Sequence, residues 1–387
     1  MTGQLPRRLV NHPPPHRERC DVRTLPLLTL PASASHAGEV NLCGLQPSLG
    51  SSPCYKRAMR FLLATFLCLL IAPAVAAQPA RTHVTFVTDW KAQAEHGGFY
   101  EALAEGFYAK RGLDVTIRAG GPQVNVPQLL AGGAADFGIG SNSFIVLNLV
   151  KQNVPLRAVM AVFQKDPQVL ISHPRRDLTS LDEMRGRPIL ISDGAMTSFW
   201  PWLKARWHFS DSQIRKYTFN LAPFLVDPNA IQEGYLTSEP FTVEQQAHFA
   251  PKVFLLADYG YPGYANMVLV PQKWIDENSK AVQAFYDASR DGWLDYLNGN
   301  PAPANALIKR DNPDMSDAVI AQAIDKMKRY GLVSGGDAPA FGVGGMTEKR
   351  WRDFYQTMQD VGLYPKGLDY TKAYDLRFMR RTFQNFR

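Results

Sequence analysis

The chain has 387 residues, with 42 Lys and Arg against 35 Asp and Glu for a formal net charge of +7. Eight of those bases and three of the acids lie at or before Ala77, which leaves about +2 on the remainder with both signs interspersed. That balance excludes a nucleic-acid surface built on a basic patch. All four cysteines (Cys20, Cys43, Cys54, Cys68) also precede Ala77, so the remainder has no disulfide, thiol nucleophile or cysteine metal ligand.

Residues 1–58 are rich in Pro, Arg and Ser without sustained periodicity, and read as disordered or as a mis-called upstream extension. Met59 and Arg60, with Lys56 and Arg57 before them, then open a basic start to an apolar run from Phe61 to Ile71. Pro73 breaks the run, and Ala74-Val75-Ala76-Ala77 supplies small residues. A positive end, a short apolar middle and a small-residue exit define a signal peptide over 59–77. The run is shorter than the ~20 residues a bilayer span takes. Leu67 precedes Cys68 where a lipoprotein anchor wants a small residue.

Beyond Ala77 the pattern alternates. His83–Val87 reads as a strand, and Phe99, Leu103 and Phe107 recur every four residues as a helical stripe that stops at Gly112. Leu113–Ile117 is a second strand. A helix over Val124–Leu130 ends at Gly132-Gly133, and Ala135–Ile139 is a buried strand. Ser141 caps a helix to Val150, and Leu156–Phe163 and Gln168–Ser172 are β-rich. After His173-Pro174 the pattern begins again. Ser180 and Glu183 fit a capping box, and Pro188–Ser192 is a strand. Thr197 caps a helix through Trp207 with Pro201 in its first turn. Ser210–Lys216 reads as a helix and Tyr217–Leu221 as a strand, followed by strands near Tyr235, Val253–Leu256 and Asn266–Val270. Beyond Pro271 the chain is almost wholly helical. Such alternation predicts an α/β protein with parallel sheets between helices, and about 310 residues suffice for two lobes.

Four segments in order carry a resemblance. Residues 99–115 (Phe-Tyr-x-Ala-x-x-x-Gly-Phe-Tyr-x-x-x-Gly-Leu-Asp-Val), 132–141 (Gly-Gly-Ala-Ala-Asp-Phe-Gly-Ile-Gly-Ser), 178–187 and 230–240 resemble solute-binding proteins of ABC importers. Asp89-Trp90 followed by His96-Gly97 is similar to the branch that binds thiamine pyrimidine precursors, which also holds the fungal-type pyrimidine synthase. The resemblance covers about 83–387. It implies a type II periplasmic-binding-protein fold of two doubly wound lobes with a ligand cleft between them. Lobe 1 is expected over 82–173 plus 266–387 and lobe 2 over 174–265. It also implies a periplasmic location, a small-molecule ligand, and ABC permease and ATPase subunits as separate partner chains, with a monomeric product and no cofactor.

Ligands of open α/β sheets sit outside the carboxyl ends of strands. On that rule the expected ligand-binding residues are Trp90, His96, Ser141, Asn142, Asp193, Thr197, Tyr235, Glu239 and Tyr259, with Tyr261 as a further closing aromatic. Trp90 and the tyrosines offer faces for stacking, worth about 0.5–1.5 kcal/mol beyond area. Ser141, Asn142 and Thr197 sit at predicted helix starts, and Glu239 or Asp193 would accept from an exocyclic amine. Each has a plainer alternative: Trp90 as core, Ser141 and Thr197 as helix caps, Glu239 as a loop brace, His96 as a local hydrogen-bonding group.

Two rival functions remain at this level. The fungal synthase of this fold holds pyridoxal phosphate on a lysine and consumes a histidine. Aligning its Asp-x-Gly strand on Asp136-Phe137-Gly138 puts Gly140 at the lysine and Phe144 near the histidine. No lysine occurs between Lys110 and Lys151, and Schiff-base chemistry needs that amine. A sulfonate- or nitrate-type binding protein would favour Arg or Lys at the helix starts, yet none lies within 140–150 or 193–203. The five histidines after Ala77 show no metal-ligand spacing, so no metal is expected.

Overall fold

A computed structural model describes residues 80–379 apart from Pro122 and Phe219. The expected extension at 1–58 and signal peptide at 59–77 lie outside the described residues. Ten strands follow in order: β1 (Thr82–Val87), β2 (Leu113–Arg118), β3 (Phe137–Asn142), β4 (Leu156–Phe163), β5 (Gln168–Ser172), β6 (Ile189–Ile191), β7 (Ile214–Lys216), β8 (Ile231–Tyr235), β9 (Lys252–Leu255) and β10 (Ala265–Pro271). They form two five-stranded sheets, ordered β2-β1-β3-β10-β4 and β7-β6-β8-β5-β9.

Both sheets are mixed rather than purely parallel. β10 runs antiparallel to β3 and β4, and β5 runs antiparallel to β8 and β9. These two are the strands on which the chain arrives from the other sheet, which reverses their direction. The first crossing was expected near His173-Pro174. The chain leaves the first sheet earlier, at 164–167, because Gln168–Ser172 pairs with Tyr235–Ile231 of the second sheet. It returns between Leu255 and Ala265. β4, β5 and β10 are buried along nearly their whole length, as strands covered on both faces must be. Edge strand β2 instead alternates, with Leu113 and Val115 buried and Asp114 and Thr116 exposed.

The sequence builds one close helix pair that positions the site. Helix Gly97–Ala104 crosses helix Ser279–Asn298 with almost no side chain between them. A Cβ on Gly98 would lie 2.2 Å from the Trp293 ring, and one on Gly292 would lie 2.2 Å from the Gly98 carbonyl. Phe86, Phe99, Phe285 and Trp293 pack around the contact, with centroids 4.7 Å apart for Phe86–Phe99 and 5.8 Å for Phe99–Trp293. Such ring pairs add to the burial energy of a core. The helix, and the 3-10 turn Ala94–His96 ahead of it, is therefore fixed against the first sheet.

Several local expectations shift by a few residues. Asn142, not Ser141, caps helix Ser143–Lys151, accepting from the Ile145 N–H at 3.4 Å. Thr197 ends a 3-10 turn, and Ser198 occupies the cap position of helix Phe199–Trp207. Ser210 does form a capping box with Gln213, but the helix lasts one turn because Ile214–Lys216 pairs with β6. Tyr217–Leu221, expected as a strand, leads into helix Ala222–Val226. The capping box at Ser180 and Glu183 is present.

Arg350 on helix Glu348–Asp360 reaches both crossings. Its guanidinium donates to the Gln164 carbonyl and, at 3.2 Å, to the Gly263 carbonyl, and it lies 4.2 Å over the Tyr264 ring. Among the described residues, no helix is long and apolar enough to cross a membrane.

Candidate functional site at the seam between the sheets

The registers point the carboxyl ends of the strands at the two crossings. Ala265, the first residue of β10, pairs with Asn142 at the end of β3 and with Phe163 at the end of β4. In the second sheet, Gln168 at the start of β5 pairs with Tyr235 at the end of β8. Loops after β1, β3, β4, β8 and β9 thus converge on one seam, where open α/β sheets place their ligands.

The loop after β1 supplies Asp89, Glu95 and His96. His96 is buried, and its Nε2 lies 3.2 Å from Asp89 Oδ1. An Nε2–H donated to that carboxylate leaves Nδ1 as a bare acceptor. The Glu95 carboxyl accepts from the Thr237 hydroxyl beyond β8, which joins the two sheets' loops directly. Asn266 donates through Nδ2 to the Glu95 carbonyl at 2.5 Å, and Gln322 donates to the Thr237 carbonyl. A second link runs from Asn148 Nδ2 to the Thr197 carbonyl at 3.0 Å.

Four buried polar atoms around this seam have no hydrogen-bond partner: His96 Nδ1, Asp166 Oδ2, Tyr261 OH and Asn266 Oδ1. Buried polar groups are almost always satisfied, and an orphan costs about 1–3 kcal/mol. Three of the four lie on the crossings and the loop after β1 and Asn266 is the second residue of β10, so together they are three unused acceptors and one hydroxyl at the seam. Asn266 also holds φ +49°, a left-handed conformation uncommon outside glycine, and strain of this kind concentrates at functional positions.

The electrostatics are acidic. Burial pushes the Asp166 carboxyl up to about 7, against the opposing hydrogen bond from the Gln168 N–H. Burial likewise pushes Glu239 up to about 7, with Glu95 adding to the rise. Burial also raises Glu95, partly opposed by Thr237. The Tyr235 phenol is held well above its ordinary range by burial and then by Asp166, Asp89, Glu95 and Glu239. Burial and then Asp166 do the same to Tyr261. Asp166, Tyr235, Tyr261, Asp89, Glu95 and Glu239 therefore share one electrostatic neighbourhood, in which His96, acting on Glu95, is the one opposing positive contribution among these shifts.

The residues expected from sequence divide by position. His96, Tyr235 and Glu239 come together at the seam. Glu239 opens helix Glu239–Ala247 and accepts from the Tyr235 N–H at 2.8 Å and from Tyr217 at 3.4 Å. Trp90 is half-buried in the loop after β1, its carbonyl accepting from the Thr88 hydroxyl at 2.6 Å and the Gly120 N–H at 3.0 Å. Ser141 is half-buried at the end of β3 beside the capping Asn142. Thr197 is exposed and offers the carbonyl that Asn148 holds. Asp193 is 78% exposed and paired with Lys216 at 3.1 Å. Tyr259 packs edge-on to Trp207 at 5.8 Å, and the carboxyls that raise its phenol are Asp258 and Glu183 rather than the acidic group at the seam. Glu95, Asp166 and Asn266 were missed. Asp166 and Asn266 had one legible signal, a carboxyl or amide at the end or start of an apolar strand, since Asp166 follows β4 by three residues and Asn266 is second in β10; Glu95, in the 3-10 turn Ala94–His96, had none.

A groove of about 500 Å³ lined by Arg157, Gln272, Glu348, Tyr374, Asp375 and Arg377 lies elsewhere. Leu156 pairs with Pro271 there, which is the opposite end of the first sheet from the seam.

Comparison with known proteins gives a consistent picture. A family model described as NMT1/THI5 like matches residues 93–304. The riboflavin-binding protein RibY of Chloroflexus aurantiacus is 24% identical over 326 residues, covering 80% of this chain and 89% of its own. The formylaminopyrimidine-binding protein of Halalkalibacterium halodurans is 23% identical over 279 residues, covering 70% and 82%. Among solved structures, the periplasmic aliphatic sulphonate binding protein SsuA of Escherichia coli superposes with a TM-score of 0.56 at 14% identity, over 77% of this chain and 92% of its own. That likeness shows the periplasmic-binding-protein fold, two α/β halves each built on one of the sheets.

Proposed function

The chain belongs to the NMT1/THI5-like family, and on that premise we propose that it is an exported solute-binding protein. It captures a small nitrogen heterocycle, a thiamine pyrimidine precursor or a similar compound, and delivers it to an ABC importer. One lobe is built on the first sheet and the other on the second, and they part and close around the ligand at the seam. The protein acts in the periplasm as a monomer, without a cofactor, and its permease and ATPase partners are separate chains.

The carrying observation is the set of partnerless acceptors on His96, Asp166 and Asn266 at the carboxyl ends of the strands. A heterocycle bearing N–H groups satisfies them, and the half-buried Tyr235 supplies a ring face. Two relatives are named for riboflavin and formylaminopyrimidine, both nitrogen heterocycles. A sulfonate or nitrate brings no N–H donor for these acceptors and would add negative charge beside Asp89, Glu95, Asp166 and Glu239, which disfavours it. Capture follows from closure, because a ligand shifts the balance only by binding the closed state more tightly than the open one.

A binding role is also supported over synthase activity. Gly140 sits where the lysine would be, and a Cβ there would lie 2.9 Å from Leu269. Phe144 packs at 5.9 Å from the Tyr261 ring.

Thermal unfolding of residues 78–387 with thiamine pyrimidine precursors, riboflavin, taurine and nitrate tests the reading. A specific heterocycle at 100 times its dissociation constant adds about 2.7 kcal/mol. Stabilisation by taurine or nitrate alone would refute it, as would borohydride trapping of an aldimine after adding pyridoxal phosphate.

A further inference from the structure

We propose that Asp166 sets the charge of the accepted solute, pairing through its free oxygen with a cationic nitrogen that enters the seam. This rests on the reading of the seam as a solute site and adds to it the charge class and the residue that selects it.

Asp166 lies in the first crossing, between the two sheets, and is 1% exposed. Its Oδ1 accepts from the Gln168 N–H at 3.0 Å, which fixes the carboxyl plane, while Oδ2 has no partner. A carboxyl needed only to cap the start of β5 would use one oxygen and leave the other to water. Here the second oxygen is sealed in. Tyr235 at the end of β8 and Tyr261 in the return crossing lie close enough to feel its charge, with Asp89, Glu95 and Glu239 grouped around the same Tyr235. Arg350, packed on the same crossing, is held by the Gln164 and Gly263 carbonyls. Lys165, next in sequence, is turned to Asp258 at 2.7 Å. Among the described residues no cation contributes to the Asp166 carboxyl or bonds its free oxygen, and burial pushes it up to about 7. A buried anion without a counter-charge gives up its ionisation, and a cation restores it. His96 Nδ1 and Asn266 Oδ1 are acceptors that tolerate the same N–H donors.

The test uses a matched pair of probes: 4-amino-5-aminomethyl-2-methylpyrimidine, a cation at neutral pH, and its neutral N-formyl derivative. Titration calorimetry on the full mature chain should show the Asp166→Asn variant losing about tenfold or more in affinity for the cation. The neutral probe should change less than about threefold, since the amide keeps the acceptor. Wild-type affinity for the cation should also rise between pH 6 and 8, and that for the neutral probe should not. This second readout stands even if the variant fails to fold. An unchanged cation-to-neutral ratio in the variant, or a flat pH profile for the cation, would overturn the assignment and leave the solute-binding reading intact. If neither probe binds wild type, the heterocycle reading falls and this inference falls with it.

Discussion

Thr237→Val removes one bond that joins the loops of the two sheets and keeps nearly the same volume. Thr237 is fully buried, and its hydroxyl donates to Glu95, itself 5% exposed. Valine returns the methyl packing but leaves a Glu95 oxygen sealed without a donor, at a cost of about 1–3 kcal/mol. The cost falls on the closed arrangement, because an opened seam hydrates Glu95. At 1.4 kcal/mol per tenfold, the closed-to-open ratio should drop between about fivefold and a hundredfold. Ligand affinity should drop by a similar factor, since the bound form requires closure. Small-angle scattering of the ligand-free protein reads the first effect as an increased radius of gyration, and calorimetry reads the second. A variant with unchanged scattering and an affinity within twofold of wild type would refute the claim that this bond holds the seam shut.

Glu233 gives a pH prediction. Its Oε1 accepts from the Ser192 N–H at 2.8 Å while Oε2 is buried without a partner, and burial pushes the carboxyl up to about 8. The folded state therefore keeps a proton that the unfolded state loses near 4.5, so this contribution to stability is full below that point. It declines as pH rises towards 8, by at most about 1.4 kcal/mol per pH unit. Urea midpoints should fall between pH 5 and 8, and Glu233→Gln should flatten that slope; a midpoint that rises over this window contradicts the assignment. At the helix crossing, Gly98→Val should destabilise by about 3 kcal/mol or more, as overpacking against the Trp293 ring forces the helices apart. A thermal midpoint within 2 °C of wild type would exclude the close approach. Asp193→Asn, at a 78% exposed and ion-paired carboxylate, should change ligand affinity less than twofold by calorimetry, whereas Glu239→Gln should change it more.

Much of the fold was legible because hydrophobic runs and their punctuation coincide with real boundaries. Leu156–Phe163 and Gln168–Ser172 are strands over those spans, since Pro155 and Pro167 leave little freedom at their starts. The polar segment Ser210–Lys216 misled for a physical reason. Its capping box is genuine and satisfied, but pairing of Ile214–Lys216 with β6 ends the helix after one turn. The sheet that Gln168–Ser172 joins was not legible, because partners far along the chain decide that. The seam was half legible: the strand-end rule reached His96, Tyr235 and Glu239 but also chose Asp193, whose partner Lys216 emerges only when β7 is placed. Glu95 and Asp166 escaped because a carboxyl beside a His or a Lys reads as surface until burial is known.

Arg350 has a mechanical consequence. Two connections join the halves, and a single planar guanidinium grips a carbonyl on each. Their spacing is then set by one rigid group rather than by two independent loops. Shearing or twisting one half against the other would tear that grip, whereas bending about the line through Gln164 and Gly263 leaves it intact. The closing motion proposed above would then be that of a door on a pinned axle.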